Sequence, residues 1–334
     1  MYLKKEDTVD PVDAVIMWVD GRDPVHMEKR RRYLPGAEPD HLDCALNEYR
    51  FLDSGEVKYC VFSIRKFAPW IRNIYIVSDE QHPEWLTEEV ASKLNVTVVD
   101  HIQIFEGYQE NLPTFNNLSI MSVIWKIPGL AEKYILFNDD TFLVNETGKE
   151  DFYEGDRIVL RGIWKPFSPG IFKIFKKFIK QTLKTGKIRR VNIIKDFVHI
   201  NGAMLAGFTN RYFETLHMPL PMKKSIQEEF YHNNPGLLEE NIRFRFRNKN
   251  QFGPGVLFNH LEFRKGNVIL GRNEDVMLII PRQGGLKDNR KKFDFLVNSG
   301  EVKFLCFQDL VYLMKENPSE YTEVTEFLDK RILY

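Results

Sequence analysis

Four short apolar runs punctuate the first 140 residues, and each ends on an acid: AVIMWVD at Asp20, IYIVSD at Asp79, VTVVD at Asp100, and YILFNDD at Asp139 and Asp140. Short Val/Ile-rich runs separated by helix-length segments predict a parallel sheet with crossover helices. Strands are expected over Ala14–Val19, Ile74–Val77, Val96–Val99 and Tyr134–Phe137. Between them, Met27–Tyr33 reads as a basic helical stretch, and Val57, Cys60, Val61, Ile64 and Phe67 fall at helical spacing before Pro69. Pro83 opens PEWLTEEVASKLN as a helix start with acids in its first half, and Asn116–Ile127 reads as a third crossover helix. The order is βαβαβαβ, the nucleotide-binding half of an α/β protein. Ligands of such sheets lie beyond the carboxyl ends of the strands, where the acids fall.

The second half changes character. Ile171–Arg190 (IFKIFKKFIKQTLKTGKIRR) carries eight cations and no acid, with Ile171, Ile174, Phe175, Phe178, Ile179 and Leu183 on one helical stripe. A cationic amphipathic helix of this kind predicts contact with a membrane surface or a lipid-linked acceptor; the alternative is a helix packed on its own domain with solvated lysines. The expected organisation is an α/β half over 1–150, an insertion over 151–212 with the basic helix at 171–190, and a completing half over 213–334.

Composition narrows the setting. The 334 residues are 43% hydrophobic and 28% charged, with 47 basic and 47 acidic side chains, so no global field favours nucleic acid. Cys44, Cys60 and Cys306 show no metal or disulfide spacing, and neither a signal core nor an 18-residue apolar run occurs. The expectation is a cytoplasmic protein, peripheral at the inner face of the plasma membrane. No GxGxxG or GxxxxGK[ST] string occurs, which argues against the dinucleotide and P-loop forms of the fold.

Candidate chemistry then attaches to four places. Asp139 and Asp140, adjacent after a buried strand, predict a hard cation, Mg²⁺ or Mn²⁺, neutralising a diphosphate; the plainer alternative is a capped turn. Trp18 and Asp20 at the end of the first strand suit a base and a ribose, with Gly21 allowing close backbone approach, unless Trp18 is simply core. His217, on a backbone stiffened by Pro219 and Pro221, is a candidate catalytic imidazole, although a single His is more often structural. Arg243, Arg245 and Arg247 alternate with Phe; as a strand, they would present three guanidiniums on one face to a pyrophosphate, or merely to solvent.

These strings resemble a known family, the Stealth proteins, hexose-1-phosphate transferases that include bacterial capsule polymerases and the alpha/beta precursor of N-acetylglucosamine-1-phosphotransferase. The resemblance lies in DAVIMWVDG (Asp13–Gly21), in the stretch from Asp53 to Leu143 holding FAPWIRNIYIVSDEQ, LPTFNN and IPGLAEKYILFNDDTFL, in HMPLPMKK through RFRNKNQF, and in LCFQD ending at Asp309. It implies a Rossmann-like, glycosyltransferase-A-like core, a mostly parallel sheet with helices on both faces plus the basic insertion, that binds a UDP-sugar with a divalent cation. It implies His217 as catalytic, Asp139, Asp140 and Asp309 as metal and phosphate acids, and Trp18, Val19, Asp20 and Gly21 on the nucleotide side. Asn116 and Lys58, the latter where relatives carry Arg, are implied on the substrate side, and the family arginine matches Arg245 or Arg247. Gln308 stands where the family has Asn.

The expected reaction follows from that resemblance: a glycan hydroxyl, deprotonated by His217, attacks the sugar-proximal phosphorus and UMP leaves. The product would be a phosphodiester-linked capsule, exopolysaccharide or other surface polymer, grown on an oligosaccharide or lipid-linked acceptor. A metal-dependent glycosyltransferase releasing UDP would use the same carboxylates. A catalytically silent glycan- or membrane-binding module would need none of them.

Overall fold

Successive residues of the apolar runs point to opposite faces of one sheet, and both faces are covered, so the runs need no polar positions. The structure, a computed structural model, describes residues 10–34, 51, 53–167, 197–283 and 285–334. Strands β1 (Val12–Met17), β2 (Ile74–Ser78), β3 (Val96–Asp100) and β4 (Lys133–Asn138) are parallel, in the spatial order β3-β2-β1-β4. Ala14, Ile16, Ile135 and Phe137 pack on one face against Val57, Val61 and Ile64 of helix Glu56–Phe67. Val15, Met17, Tyr134 and Leu136 pack on the other against Ile104, Phe105 and Phe258.

Beyond β4 the chain forms β5 (Thr141–Leu143), β6 (Tyr153–Glu154), β7 (Arg157–Leu160), β8 (Gly162–Pro166) and β9 (Arg211–Thr215). Strand β10 (Leu220–Lys223) then returns to the main sheet as an antiparallel edge beside β4. Pro221 is tolerated there because an edge strand has no neighbour on its far side to receive an N–H. Strands β11 (Val268–Leu270), β12 (Val276–Ile279) and β13 (Phe304–Phe307) complete two small sheets, β11-β7-β6 and β12-β13-β5, while β8 pairs with β9. The segments on either side of residue 150 therefore share a sheet and a core, since β10 closes one edge and β13 pairs with β5. The basic stretch 171–190 lies outside the described residues. Among those described, no helix is long and apolar enough to cross a membrane.

Three expected elements are corrected. The helix expected from Pro83 begins only at Glu88 (Glu88–Leu94), because Thr87 caps it by accepting from the Val90 amide at 3.3 Å, with Glu88 and Glu89 in the first turn. The helix expected over Asn116–Ile127 breaks into Asn117–Met121 and a 3₁₀ turn, Ile124–Lys126. Ser122 Oγ donates back to the Leu118 carbonyl at 2.8 Å, and a β-branched pair follows at Val123–Ile124; both disfavour continuation. The RFRFR segment is not a strand. Phe244 and Phe246 are buried while Arg243 is exposed, but the Phe244 carbonyl accepts from Asn116 Nδ2 at 2.9 Å and from Ser119 Oγ at 3.0 Å instead of joining a ladder.

The end of the sheet away from the strand-end acids is closed by Asp13. Its carboxylate, wholly buried, accepts from Arg72 Nε (2.9 Å) and Nη2 (2.6 Å), and from the amides of Asn73 (3.1 Å) and Ala131 (2.8 Å). Asp13→Ala would leave those donors unpaired and is expected to cost about 2–4 kcal/mol, less than a fully buried pair because Arg72 is half-exposed. Urea denaturation checks this, and a loss below about 1 kcal/mol would contradict it.

Candidate active site

In the order β3-β2-β1-β4, the crossovers leave β1 in opposite directions, so a crevice opens where β1 and β4 end side by side. A cleft of about 540 Å³ lies at that switch point. It is lined at the β4 end by Asn138, Asp139 and Asp140, and at the β1 end by Trp18 and Val19. His217, Arg247 and the Gln308–Asp309 corner close it from the second half of the chain.

The acid pair is electrostatically frustrated. Asp139 and Asp140 are half-buried at the end of β4. Burial, and then repulsion by Asp140, Glu56 and Asp53, holds the Asp139 carboxyl well above the usual carboxylate range. Burial likewise raises Asp140, while His217 nearby works in the opposite direction. Glu56 and Asp53 are both buried next to one another, and burial followed by the Asp53 charge raises Glu56 as well. Among the described residues none of these four carboxylates is in an ion pair with a cation. Oxygen donors carrying uncompensated charge suit a hard divalent cation. The expected three-acid set is corrected, however: among the described residues no group of three His, Cys, Asp or Glu converges tightly enough to hold a metal. Two carboxylates with the remaining positions left to diphosphate and water match the way Mg²⁺ is usually held, so Asp139 and Asp140 fit the ion.

The second half of the chain is pinned to the acid pair by its backbone. The Phe307 amide donates to the Asp140 carbonyl at 3.0 Å, and Gln308 N–H to the Ile279 carbonyl at 3.0 Å. Asp309 follows with φ 57°, a left-handed conformation that turns the chain into helix Leu310–Glu316 at the cleft. This corner brings the Gln308 side-chain amide within 3.4 Å of His217 Nδ1. His217 itself is exposed on the turn between β9 and β10, but Met218 and Pro219 beside it are buried, so the imidazole projects from an anchored backbone. The contact is made by the Gln308 amide nitrogen, which donates toward Nδ1 and holds the imidazole beside the cleft.

Of the three arginines only Arg247 lines the cleft, where its Nε donates to Asn117 Oδ1 at 2.6 Å. Arg245 Nη2 donates to the carbonyls of Glu110 and Leu112, each at 3.1 Å, and its guanidinium lies over Tyr33. Arg243 ends helix Pro235–Ile242 and covers Phe244. Arg282, from the loop after β12, also lines the cleft.

The nucleotide-side string divides between ligand and scaffold. Trp18 packs in the main core with Val19 beside it at the cleft, whereas Asp20 and Gly21 are not among the lining residues. Gln81 clips that turn to the end of β2: its Oε1 accepts from the Asp20 amide at 3.0 Å, and its Nε2 donates to the Asp20 carbonyl at 2.8 Å and to Asp23 Oδ2 at 3.0 Å. Gly21 serves a close approach, but to protein: its amide donates to the Phe51 carbonyl, and a Cβ would overlap that backbone. Asn116, expected in the donor pocket, is wholly buried as the cap of helix Asn117–Met121, with Nδ2 donating to Gln251 Oε1 at 2.8 Å; its neighbour Asn117 faces the cleft instead. Lys58, on helix Glu56–Phe67, is likewise not a lining residue.

Several cleft residues were given no role by the sequence reading. Asp79 ends β2 as Asp139 ends β4, so the strand-end rule pointed to it, and His101 directly follows the acid that ends β3. His26, Glu56, Thr114 and Arg282 offered no comparable signal. Asp100, by contrast, is a cap: it accepts from the Ile102 amide at 2.8 Å and the Glu80 amide at 2.6 Å.

Comparison with known proteins adds an independent line. Residues 50–160 match the family model described as Stealth protein CR2, conserved region 2. The chain is 28% identical over 326 residues to the capsular polysaccharide phosphotransferase WcwK of Streptococcus pneumoniae, covering 92% of this chain and 93% of that protein. It is 30% identical over 263 residues to the capsular polysaccharide phosphotransferase LcbA of Aeromonas hydrophila, covering 77% of this chain and 67% of the relative. Among solved structures, the galactosyltransferase LgtC aligns over 95% of this chain and 96% of its own, at 9% identity and a TM-score of 0.43. The matched region spans β2, β4 and the acid pair, and the sequence relatives extend it across both halves of the cleft: the chain belongs to the Stealth protein family.

Proposed function

We propose that this protein transfers a sugar 1-phosphate from a UDP-sugar to a hydroxyl of a glycan acceptor, releasing UMP, in the synthesis of a phosphodiester-linked capsule or surface polysaccharide. The observation that carries the reading is the convergence of an acid pair, an oriented imidazole and an arginine on one cleft at the switch point. The names of the relatives, capsular polysaccharide phosphotransferases, support the same reaction class.

In the step itself the acceptor oxygen forms a bond to the sugar-proximal phosphorus, and the bond from that phosphorus to the bridging oxygen breaks. The acceptor proton passes to the His217 imidazole, and the electron pair of the broken bond leaves with UMP. Arg247 holds the transferring phosphoryl group, and the cleft walls fix the line of attack; positioning and electrostatics supply most of the rate. A bound Mg²⁺ or Mn²⁺, held by Asp139 and Asp140, would supply charge neutralisation at the diphosphate. The acceptor is an oligosaccharide or lipid-linked glycan, and the 171–190 segment brings the enzyme to the inner face of the membrane where such a chain grows.

The test is incubation with a panel of UDP-sugars and Mg²⁺, with and without oligosaccharide primers, followed by separation of the nucleotides. Primer-dependent UMP supports the reading; UDP in its place would assign the protein to ordinary glycosyl transfer. Within that assay the arginines separate. Arg247→Ala is expected to raise the donor KM by about tenfold or more through loss of a charge-assisted contact, while Arg245→Ala stays near wild type. The reverse pattern would contradict the placement of Arg247 in the cleft.

A further inference from the structure

A second groove, of about 710 Å³ against about 540 Å³ for the cleft, shares no lining residue with it and takes no part in the transfer step. Its volume falls within the roughly 300–1,000 Å³ of sites that hold a drug-sized ligand. Among the described residues its walls come from Tyr108, the turn Ile124–Lys126, helix Lys224–Asn233 and the start of helix Pro235–Ile242. Trp125 is half-buried there on a frame that fixes its ring. Its Nε1 donates to the Ser122 carbonyl at 3.0 Å, and the Tyr231 ring lies nearly parallel to it, 22° apart with centroids at 6.4 Å. Tyr231 is held in turn by edge contacts at 5.5 Å with both Phe230 and Phe258. Tyr108, also half-buried, carries the Lys126 ammonium over its ring at 5.1 Å. Glu228, His232 and Asn233 occupy exposed positions of helix Lys224–Asn233.

We propose that this groove is a second glycan site, which holds the acceptor chain away from its reacting hydroxyl. It rests on the glycan-acceptor reading above. Sugar rings present apolar C–H faces edged by hydroxyls, so a site for them sets flat aromatic surface beside groups that donate and accept. The fixed indole of Trp125 supplies the surface with little rotamer freedom left to lose on binding. Around it Lys126 donates, Glu228 accepts, and Asn233 does both. Charge argues against a phosphate or a second nucleotide. Glu228 and Glu229 are exposed carboxylates, Lys126 is the one lysine or arginine in the described lining, and nearby Lys265 is paired with Glu229 at 3.2 Å. The groove therefore takes the neutral sugars of the chain rather than its phosphodiesters. It is tied to the cleft through one segment: Asn117 and Ile120 line the cleft, while Trp125 and Lys126 line the groove. Between them Ser122 Oγ accepts from Asn241 Nδ2 at 2.9 Å, on the helix that supplies Leu238. A polymer held here would stay on the enzyme between additions.

The test is binding without donor, which does not depend on which bond breaks. The full chain is applied to an array of immobilised oligosaccharides of neutral hexoses and N-acetylhexosamines, from disaccharides to octasaccharides, and then titrated with the soluble form of each glycan it retains. Wild type is expected to retain at least one series, more tightly as the chain lengthens. Trp125→Ala is expected to weaken that binding by about tenfold or more through loss of the stacking surface. Glu228→Ala and His232→Ala, at exposed positions where truncation leaves the fold intact, are each expected to weaken it by about two- to tenfold. Saturating UMP should leave the glycan bound. Retention of no glycan, retention unchanged in all three variants, or displacement by UMP would each overturn the second site. UMP release in the transfer assay, with glycan binding insensitive to the variants, would overturn the groove alone. Glycan binding through the groove with no UMP release would overturn the transfer reading and leave the groove standing.

Discussion

Asp139→Asn is expected to abolish transfer and, at the same time, to stabilise the cation-free protein. The first effect follows from losing an anionic ligand at the site of developing charge, worth about 10²–10³-fold in kcat for a single electrostatic contact. The second follows from the sign of its titration. Burial and the charges of Asp140, Glu56 and Asp53 hold Asp139 well above its ordinary range, so the folded chain keeps a proton that the unfolded chain gives up. Folding stability from this group is therefore present below the unfolded carboxylate value, about 4, and is lost as pH rises toward the raised folded value. At neutral pH a neutral amide of similar shape relieves that cost, with a rise in Tm on the order of 2 °C for each kcal/mol recovered. Added Mg²⁺ should raise the Tm of the wild type and do so much less in the variant. Scanning calorimetry with and without the ion checks both; a variant less stable than wild type in the absence of cation would contradict the frustration of the acid pair.

His217→Ala is expected to lower kcat by about 10²–10⁴-fold with little change in donor affinity. The imidazole is exposed and, among the described residues, its polar side-chain contact is with Gln308 at 3.4 Å, so its removal is expected to leave the fold intact. The loss should appear in kcat and kcat/KM alike, since a general base acts in the transition state. A His217→Ala enzyme that turns over near the wild-type rate would remove the base from the mechanism.

Much of this was legible in the chain because the dominant signals are local. A continuous apolar run followed by an acid defines both a two-face-buried strand and the position of its carboxylate at the ligand edge; YILFNDD gave β4 and the acid pair together. His217 was legible through its prolines, one of which proves to sit on an edge strand. What was not legible depends on distant partners. Asn116 and Asn117 are adjacent and chemically identical, and only the buried network with Gln251 and Phe244 decides which one turns inward. The alternation of Phe and Arg in RFRFR is real, yet the hydrogen bonds that would have made it a strand go to side chains of the Asn116–Ser119 turn. His26 and Thr114 carry no spacing signal at all; only the fold brings them to the lining of one cleft.

The central claim, that phosphate travels with the sugar, is tested most directly by isotope. A UDP-sugar carrying ³²P in the sugar-proximal phosphate is offered with Mg²⁺ and a glycan primer, and the label is followed. Attack of the acceptor at the sugar-proximal phosphorus puts the label in the glycan as a phosphodiester, in step with unlabelled UMP. Label retained in UDP, with unlabelled sugar added to the primer, would contradict it.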